Sequence, residues 1–414
     1  MDLLLVIIVI GVLIIIHELG HLIMAKIYKI PVEKFSIGFG PSIIEKQIHE
    51  TTYSVSLIPL GGYIKLKGEE EEEENGFLLQ PVKKKLMVVF MGPLANLILG
   101  VFLIFLLYFL FGMKYSPPII NFEKKISHFE RGDILIAINR DTINSFEEAY
   151  TILQKNLNKE ITISLLRNKK IITFQWIVND SFQYLYPLIL PVIEKVKKKS
   201  PADMAGLQPN DTIIAINDTS ICCWEDLIER IRNSGGEKIK ITYRRGGVFS
   251  TFLTPQLVVS DTSSKKIGQI GVWVYLPRKK INFLQALAQA FIRSGYVITQ
   301  TFVILYKLIV GEISRKALGG PIMVAQLTYE SLRWGWEYFL ALFGLLAINL
   351  FVVNMLPIPV LDGGRGLIFI VEFFIKRRLT KKELNIAITI GWIIIMLLIL
   401  FTFYNDLSRI FKTK

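Results

Sequence analysis

The sequence predicts an α-helical integral membrane protein with a long β-rich insert. Of its 414 residues, 52% are hydrophobic, and the mean hydropathy of +0.45 is too high for an ordinary soluble protein. Four apolar runs reach the length of about 20 residues that a helix needs to cross a bilayer. Between the second and third runs, one soluble-type pattern occurs twice. These observations predict about four transmembrane helices, with a duplicated β-rich unit between helices 2 and 3.

The four apolar runs lie near residues 3–25, 86–111, 338–357 and 386–404. The region 283–311 is a weaker candidate because three glutamines, an arginine and a lysine interrupt it. We interpret this region as an amphipathic helix that lies on the membrane surface, with a fifth span as the alternative.

The first run contains the motif HELGH at residues 17–21. On a helix, His17 and His21 lie on one face and can reach one metal ion, while Glu18 stands beside them for proton transfer. Ionisable residues inside a membrane are costly and usually functional, which argues against a mere packing role. The two remaining histidines, His49 and His128, are expected at the surface.

The segment 35–69 is strand-like and rich in glycine. An exposed apolar sheet in water would be prone to aggregation, so we expect this sheet to dip into the membrane beside other parts of the protein. The six glutamates 69–74 that follow are expected to form a solvated loop without chemistry.

The short loops predict the orientation, because lysine and arginine favour the cytoplasmic side. Loop 26–85 holds nine lysines, and loop 363–385 holds six basic residues. Both loops are therefore expected in the cytoplasm, with both termini and the long insert outside. The net charge of +13 does not indicate a nucleic-acid partner, because lysines are spread over loops beside membrane spans.

The insert repeats itself at an offset of 78 residues. GDILIAINRDTINSFEEAYTIL, from Gly132, aligns with NDTIIAINDTSICCWEDLIERI, from Asn210. Each copy is predicted to form strands around one helix. The copies resemble a tandem of circularly permuted bacterial PDZ domains, which implies that extended peptides or peptide C-termini could bind by strand addition. The first copy lacks the lead-in SPADMAGL, so peptide binding is expected only in the second, with a rigid spacer as the alternative.

The two cysteines of the chain, Cys222 and Cys223, are adjacent. By themselves they predict neither a disulfide framework nor a cysteine zinc site, and two ordinary thiols are expected rather than a vicinal disulfide.

A catalytic zinc site needs a third protein ligand and an open position for water. Spans 1 and 3 cross in the same direction, so their C-terminal ends share one membrane face. There the sequence NMLPIPVLDGGR, residues 354–365, contains Asp362 after two helix-breaking prolines. Irregular backbone at membrane depth occurs where it lines protein or a water-filled cavity. Asp362 is therefore the predicted third ligand, and a helix-capping role is the alternative.

HELGH, GPLAN at 92–96, the PDZ-like pair and NMLPIPVLDGG together resemble the site-2 protease family of intramembrane zinc proteases, over essentially the whole chain. This resemblance implies four transmembrane helices with a re-entrant β-hairpin, and two PDZ domains inserted between helices 2 and 3. It also implies a Zn²⁺ held by His17, His21 and Asp362, with Glu18 as the catalytic acid and base. The substrate-binding residues that it implies are Asn349, Asn354, Gly61, Gly62 and Tyr63.

The predicted domain limits follow from the same features. Residues 1–112 hold the first two spans, HELGH and the hairpin; 113–190 and 191–276 are the PDZ domains, the first degenerate; 277–335 form amphipathic surface helices; and 336–414 hold the last two spans with the LDG motif.

The resemblance implies an endopeptidase of the bacterial inner membrane, with the active site near the cytoplasmic side and the PDZ domains outside. Its partners would be the lipid bilayer and single-pass membrane proteins, such as anti-sigma factors or signal-peptide remnants, which it would cut in or near their transmembrane helix. An inactive scaffold is disfavoured because all four catalytic-type residues are present. A zinc transporter is disfavoured because the repeat lies in the insert, not in the spans.

Overall fold

The computed structural model describes residues 2–69, 73–259, 266–312 and 319–412. The chain forms two compact units: residues 1–112 with 281–414, called the helical unit here, and residues 113–280, called the insert. The helices are α1 (Asp2–Ile27), α2 (Val82–Phe111), α3 (Phe146–Lys155), α4 (Pro201–Met204), α5 (Trp224–Asn233), α6 (Phe283–Ile309), α7 (Pro321–Trp334), α8 (Trp336–Asn354), α9 (Asp362–Ile375) and α10 (Lys381–Lys412). The strands are β1 (Val32–Ile48), β2 (Thr51–Leu66), β3 (Met113–Lys114), β4 (Ile120–Phe122), β5 (Ile134–Ile138), β6 (Asp141–Thr142), β7 (Glu160–Arg167), β8 (Lys170–Ile177), β9 (Leu185–Pro187), β10 (Ile193–Val196), β11 (Thr212–Ile216), β12 (Thr219–Ser220), β13 (Ile239–Arg244), β14 (Val248–Leu253), β15 (Gln256–Val259), β16 (Lys266–Gln269), β17 (Val272–Val274) and β18 (Arg278–Lys279).

Within the described residues, four helices are long and apolar enough to cross a membrane: α1, α2, α8 and α10. This confirms the predicted number of spans. Helix α2 packs against both α1 and α8. Its Gly100 faces Gly344 of α8, where a Cβ on Gly344 would lie 3.4 Å from the Gly100 carbonyl oxygen. Small residues of this kind let membrane helices approach closely.

Helix α6 occupies the region predicted as a surface helix. Its buried face is built from small side chains, Ala286, Ala290 and Ser294, which contact the rest of the helical unit. Its exposed side is mostly apolar and includes Phe291 and Ile292, with Arg293 exposed beside them. The helix is amphipathic, but its apolar face points away from the protein, as expected for a helix whose outer side contacts lipid.

Strands β1 and β2 pair antiparallel, and both bend, so that residues 34–37 of β1 pair with 52–55 of β2 on one side and with 62–65 on the other. The part next to α1 is buried, with Val32, Phe35 and Leu66 packed in one cluster. The distal part exposes apolar side chains, including Ile43 and Leu57.

The insert contains the same fold twice. The four-stranded sheets have the orders β6-β5-β7-β8 and β12-β11-β13-β14, with α3 and α5 as the corresponding helices. A buried aspartate accepts two hydrogen bonds from an arginine in each copy: Asp133 from Arg167 at 2.7 and 2.8 Å, and Asp211 from Arg245 at 2.6 Å for both. The repeated sequence pattern is therefore a repeated structure with its own internal ion pair.

Candidate metal centre

Three side chains from distant parts of the chain meet in the helical unit. His17 and His21 project from α1, and Asp362 is the first residue of α9. Their facing atoms form a small triangle: His17 Nε2 lies 3.0 Å and His21 Nε2 lies 3.5 Å from Asp362 Oδ2, and the two Nε2 atoms are 3.2 Å apart.

This triangle fits a zinc ion. Ligand atoms that surround a tetrahedral zinc with bonds of about 2.0 Å lie about 3.3 Å from one another, close to the three spacings seen here. Two imidazoles with one carboxylate are also a usual donor set for catalytic zinc, which leaves one position open. The sequence prediction brought these three residues together, and the structure places them in contact.

Neighbouring polar groups orient both imidazoles. His21 Nδ1 lies 2.8 Å from the carbonyl oxygen of Val88 and donates to it, which directs Nε2 to the centre. His17 Nδ1 lies 3.3 Å from the Asn96 amide and 3.5 Å from the Asn354 amide. Asn96 Oδ1 is buried without a partner among the described residues, and turning this amide over would let it accept the His17 Nδ1–H.

Asn96 received no role from sequence reasoning, although it belongs to GPLAN. The available signal was a polar residue in the middle of an apolar run, because such residues usually face protein partners.

Glycines allow the elements of the centre to approach one another. A Cβ on Gly92 of α2 would overlap His21 Nε2, and one on Gly20 of α1 would overlap the Met91 carbonyl. After the broken segment, Gly363 and Gly364 pack directly on the carbonyls of Met355 and Ile358. The backbone therefore folds tightly enough behind Asp362 to aim its carboxylate at the histidines.

Glu18 lines the same cavity as the three donors, a space of about 280 Å³. Ile64 of β2 lines this cavity too. Gly62 lies beside Glu18, since a Cβ at that position would be 3.6 Å from Glu18 Cγ. Strand β2 thus runs along the cavity next to the glutamate.

The predicted substrate-binding residues fall in different places. Tyr63 and Asn354 line the cavity, and Gly62 borders Glu18. Gly61 packs on the ring of Phe39. Asn349 is not among the described lining residues; its Oδ1 accepts a hydrogen bond from Thr301 of α6 at 2.9 Å.

An ion pair also borders the cavity. Arg365 Nη2 lies 2.6 Å from Glu69 Oε1, and Glu69 Oε2 accepts the Leu66 N–H at 3.1 Å. Glu69 is the first residue of the glutamate run, so at least this member is more than a solvated charge. Residues 70–72 of the run lie outside the described residues.

Comparison with known proteins agrees with this geometry. A family model described as Peptidase family M50 matches residues 5–398. The chain belongs to peptidase family M50. It is a membrane zinc metalloendopeptidase, which confirms the predicted enzyme class and cofactor.

Relatives of this M50 peptidase match it end to end. The "Regulator of sigma E protease" of Haemophilus influenzae is 30% identical, with 98% of each chain covered. The "Zinc metalloprotease RasP" of Geobacillus kaustophilus is 29% identical, with 98% of this chain and 97% of the relative covered. Among solved structures, a PDZ domain of an SdrC-like protein from Listeria monocytogenes is 21% identical over 20% of this chain and 84% of that chain, with a TM-score of 0.18.

Proposed function

We propose that His17, His21 and Asp362 hold the catalytic zinc and that Glu18 moves the proton when the enzyme cuts a membrane-embedded peptide. The observation that carries this proposal is the triangle of donor atoms, 3.0 to 3.5 Å on each side, in the cavity that Glu18 also lines. Zinc, when bound, supplies a Lewis acid that acidifies water and polarises the scissile carbonyl.

The residues of the chain supply the rest of the chemistry. Glu18 takes the proton of the attacking water and passes it to the leaving amine. The Val88 carbonyl holds the His21 ring, and the Asn96 and Asn354 amides meet the His17 ring. Because their partners are already set, these groups need little rearrangement during the reaction.

Substrate binding would use the edge of β2. A transmembrane helix keeps its carbonyls in its own hydrogen bonds, so it must unwind before its peptide bond can be attacked. An unwound segment could pair with β2 near Gly61, Gly62 and Tyr63, since a bare strand edge binds extended peptide through main-chain hydrogen bonds. Asn354, which lines the cavity, is placed to bond freed backbone groups. Asn349 would instead contribute through α6.

The finer architecture is part of the proposal. The β1–β2 hairpin would re-enter the membrane, supported by its exposed apolar tip. The two copies in the insert would be PDZ domains, with limits 113–190 and 191–276, between the helical segments 1–112, 277–335 and 336–414. The insert would lie outside an inner membrane and the active site near the cytoplasm, supported by the basic short loops.

Single-pass membrane proteins are the proposed substrates, cut in or near the transmembrane helix. Relatives named as regulators of sigma E support anti-sigma factors as one class, with signal-peptide remnants as a second. The insert would admit short or trimmed outer domains and exclude large folded ones, and its second copy could bind a new peptide C-terminus.

The test uses purified enzyme and a reporter with one transmembrane helix. Glu18→Gln should keep about one zinc per chain, because Glu18 is not one of the three proposed zinc ligands. The same variant should lose cleavage. Glu229→Gln, at an exposed position on α5, should keep both. Asp362→Ala should lose zinc. Normal cleavage by Glu18→Gln, or full zinc in Asp362→Ala, would remove that residue from its proposed role.

A further inference from the structure

Two thiols and a carboxylate converge at the start of α5, far along the chain from the catalytic motifs. The sulfur atoms of Cys222 and Cys223 and a carboxylate oxygen of Asp226 all lie within 4.8 Å of one another. Cys222 Sγ is 3.0 Å from Asp226 Oδ2. Cys222 is exposed and Cys223 is buried, so the cluster is reached from solvent through the first thiol.

A second carboxylate borders the cluster. Glu225 precedes Asp226 in α5, and its Oε2 is buried and has no hydrogen-bond partner among the described residues. A buried carboxylate oxygen without a partner is costly, and a missing ion is one of its ordinary explanations.

The first copy of the repeat has no cysteines at the start of its helix, so it shows which residues suffice for folding at this position. There Ser145 begins α3, and its Oγ accepts the Glu148 N–H at 3.2 Å, an ordinary helix cap. In the second copy, Cys223 stands at the same point and makes no side-chain cap bond. Serine is among the preferred capping residues. The second copy therefore lacks the side-chain helix cap of the first copy at the position where its two thiols lie.

The first copy also supplies the surroundings of the thiols. Arg131 Nη1 lies 3.1 Å from Cys222 Sγ, and its Nε donates to Asn121 Oδ1 at 2.8 Å. Asn121 is fully buried, and its amide nitrogen lies 3.6 Å from Cys223 Sγ. Two thiolates and one carboxylate would exceed the charge of a divalent cation by one, and the guanidinium offsets this excess.

We infer that Cys222, Cys223 and Asp226 form a second metal site, which takes a thiophilic divalent cation such as Zn²⁺ or Cd²⁺. Thiolate sulfur selects these ions over Mg²⁺ and Ca²⁺, which prefer oxygen. Binding forms two metal–sulfur bonds and releases the two thiol protons to water. All three donors belong to the second copy, and Asn121 and Arg131 of the first copy contact their sulfur atoms.

Cadmium titration of the reduced full-length protein tests this inference. Cadmium–thiolate bonds give an ultraviolet charge-transfer band, and the chain has only these two cysteines, so the catalytic centre is silent in this measurement. We expect the band to saturate at one ion per thiol pair and Zn²⁺ to abolish it by competition. Asp226→Asn, which still accepts the Cys222 N–H, should weaken binding by about tenfold or more.

The matched variant restores the sequence of the first copy. Cys222→Asn with Cys223→Ser should fold normally, because Asn144 and Ser145 occupy these positions in the other copy, and should give no band. Asp218→Asn, at an exposed position nearby, should bind cadmium as the wild type does. Absence of the band in the reduced wild type, or unchanged affinity in Asp226→Asn, would overturn the inference. Neither result bears on the peptidase, since no catalytic residue is changed.

Discussion

Asn96 matters because its side chain contacts the His17 ring. It is fully buried in α2, and its amide is one of two that meet His17 Nδ1. The ring nitrogen that does not face the metal usually needs such a partner to fix the imidazole and raise its basicity. At the scale of single residues, the centre is therefore larger than its three donors.

Asn96→Leu should weaken zinc binding by roughly 10 to 100-fold, because the His17 ring loses a buried partner. Competition with a chromogenic chelator measures this affinity. Asn385→Leu, at an exposed position on α10, serves as the control and should leave the affinity unchanged. Equal affinities for wild type and Asn96→Leu would show that Asn354 alone suffices.

Gly92→Ala should abolish zinc binding, since the new Cβ would occupy the space of His21 Nε2. Gly295→Ala is the matched control: it also changes a helical glycine, but no atom lies within 4 Å of its new Cβ. Zinc content after purification separates the two outcomes. Retention of zinc by Gly92→Ala would mean that α1 and α2 can move apart without losing the centre.

Cys222 and Cys223 should differ sharply in their reaction with an alkylating reagent. Burial raises the pKa of the Cys223 thiol to about 12, so near neutral pH this residue holds almost no thiolate, the reactive form. Mass spectrometry should find one adduct per native, metal-free chain, on the exposed Cys222, and two adducts after denaturation. Rapid double labelling of the native chain would contradict the burial of Cys223.

At the scale of elements, helix spacing and the length of apolar runs predicted the features that depend on residues close together in the sequence. His17 and His21 share one face of α1 because they lie one turn apart, and the four spans follow from composition. Contacts between remote elements were beyond such patterns. Asn349 bonds Thr301 only because α6 packs on α8, and the Glu69–Arg365 pair joins the end of the hairpin to α9.

Removing the Glu69–Arg365 pair should change access to the cavity more than stability. Arg365 is 45% exposed, so the pair contributes at most about 1 kcal/mol to folding. Glu69→Gln and Arg365→Gln should both lose zinc to a chelator faster than the wild type. Arg377→Gln breaks an exposed pair with Glu383 and should not. Identical rates of zinc loss in all four proteins would mean that the pair does not restrict entry.

At the scale of the whole molecule, duplication explains much of the insert. Both copies keep the buried Asp–Arg pair and an asparagine with positive φ, Asn139 and Asn217, whose side chain accepts a neighbouring strand's N–H. The repeat was visible in the sequence because these structural residues recur. What the repeat could not reveal was the contact between copies, where Asn121 and Arg131 meet Cys222 and Cys223.

Arg245→Met should lower the free energy of unfolding of the insert by about 3 kcal/mol, because it leaves Asp211 buried without its charge partner. The change is measured by denaturant unfolding of the full chain, with a signal that reports on the insert. Arg244→Met, the exposed neighbour, is the control and should change stability by less than about 0.5 kcal/mol. A similar loss in both variants would point to general damage of β13.

The positions of the three proposed donors along the chain also determine when, during synthesis, the metal centre can form. During synthesis, His17 and His21 precede Asp362 by more than 340 residues. At roughly 5–20 residues per second, the wait between them is on the order of tens of seconds. During that time the nascent chain already holds Glu18 and the edge of β2 but has no complete metal centre. With the proposed donor set, a peptidase that shares its membrane with its own unfinished copies becomes active only after Asp362 has been synthesised.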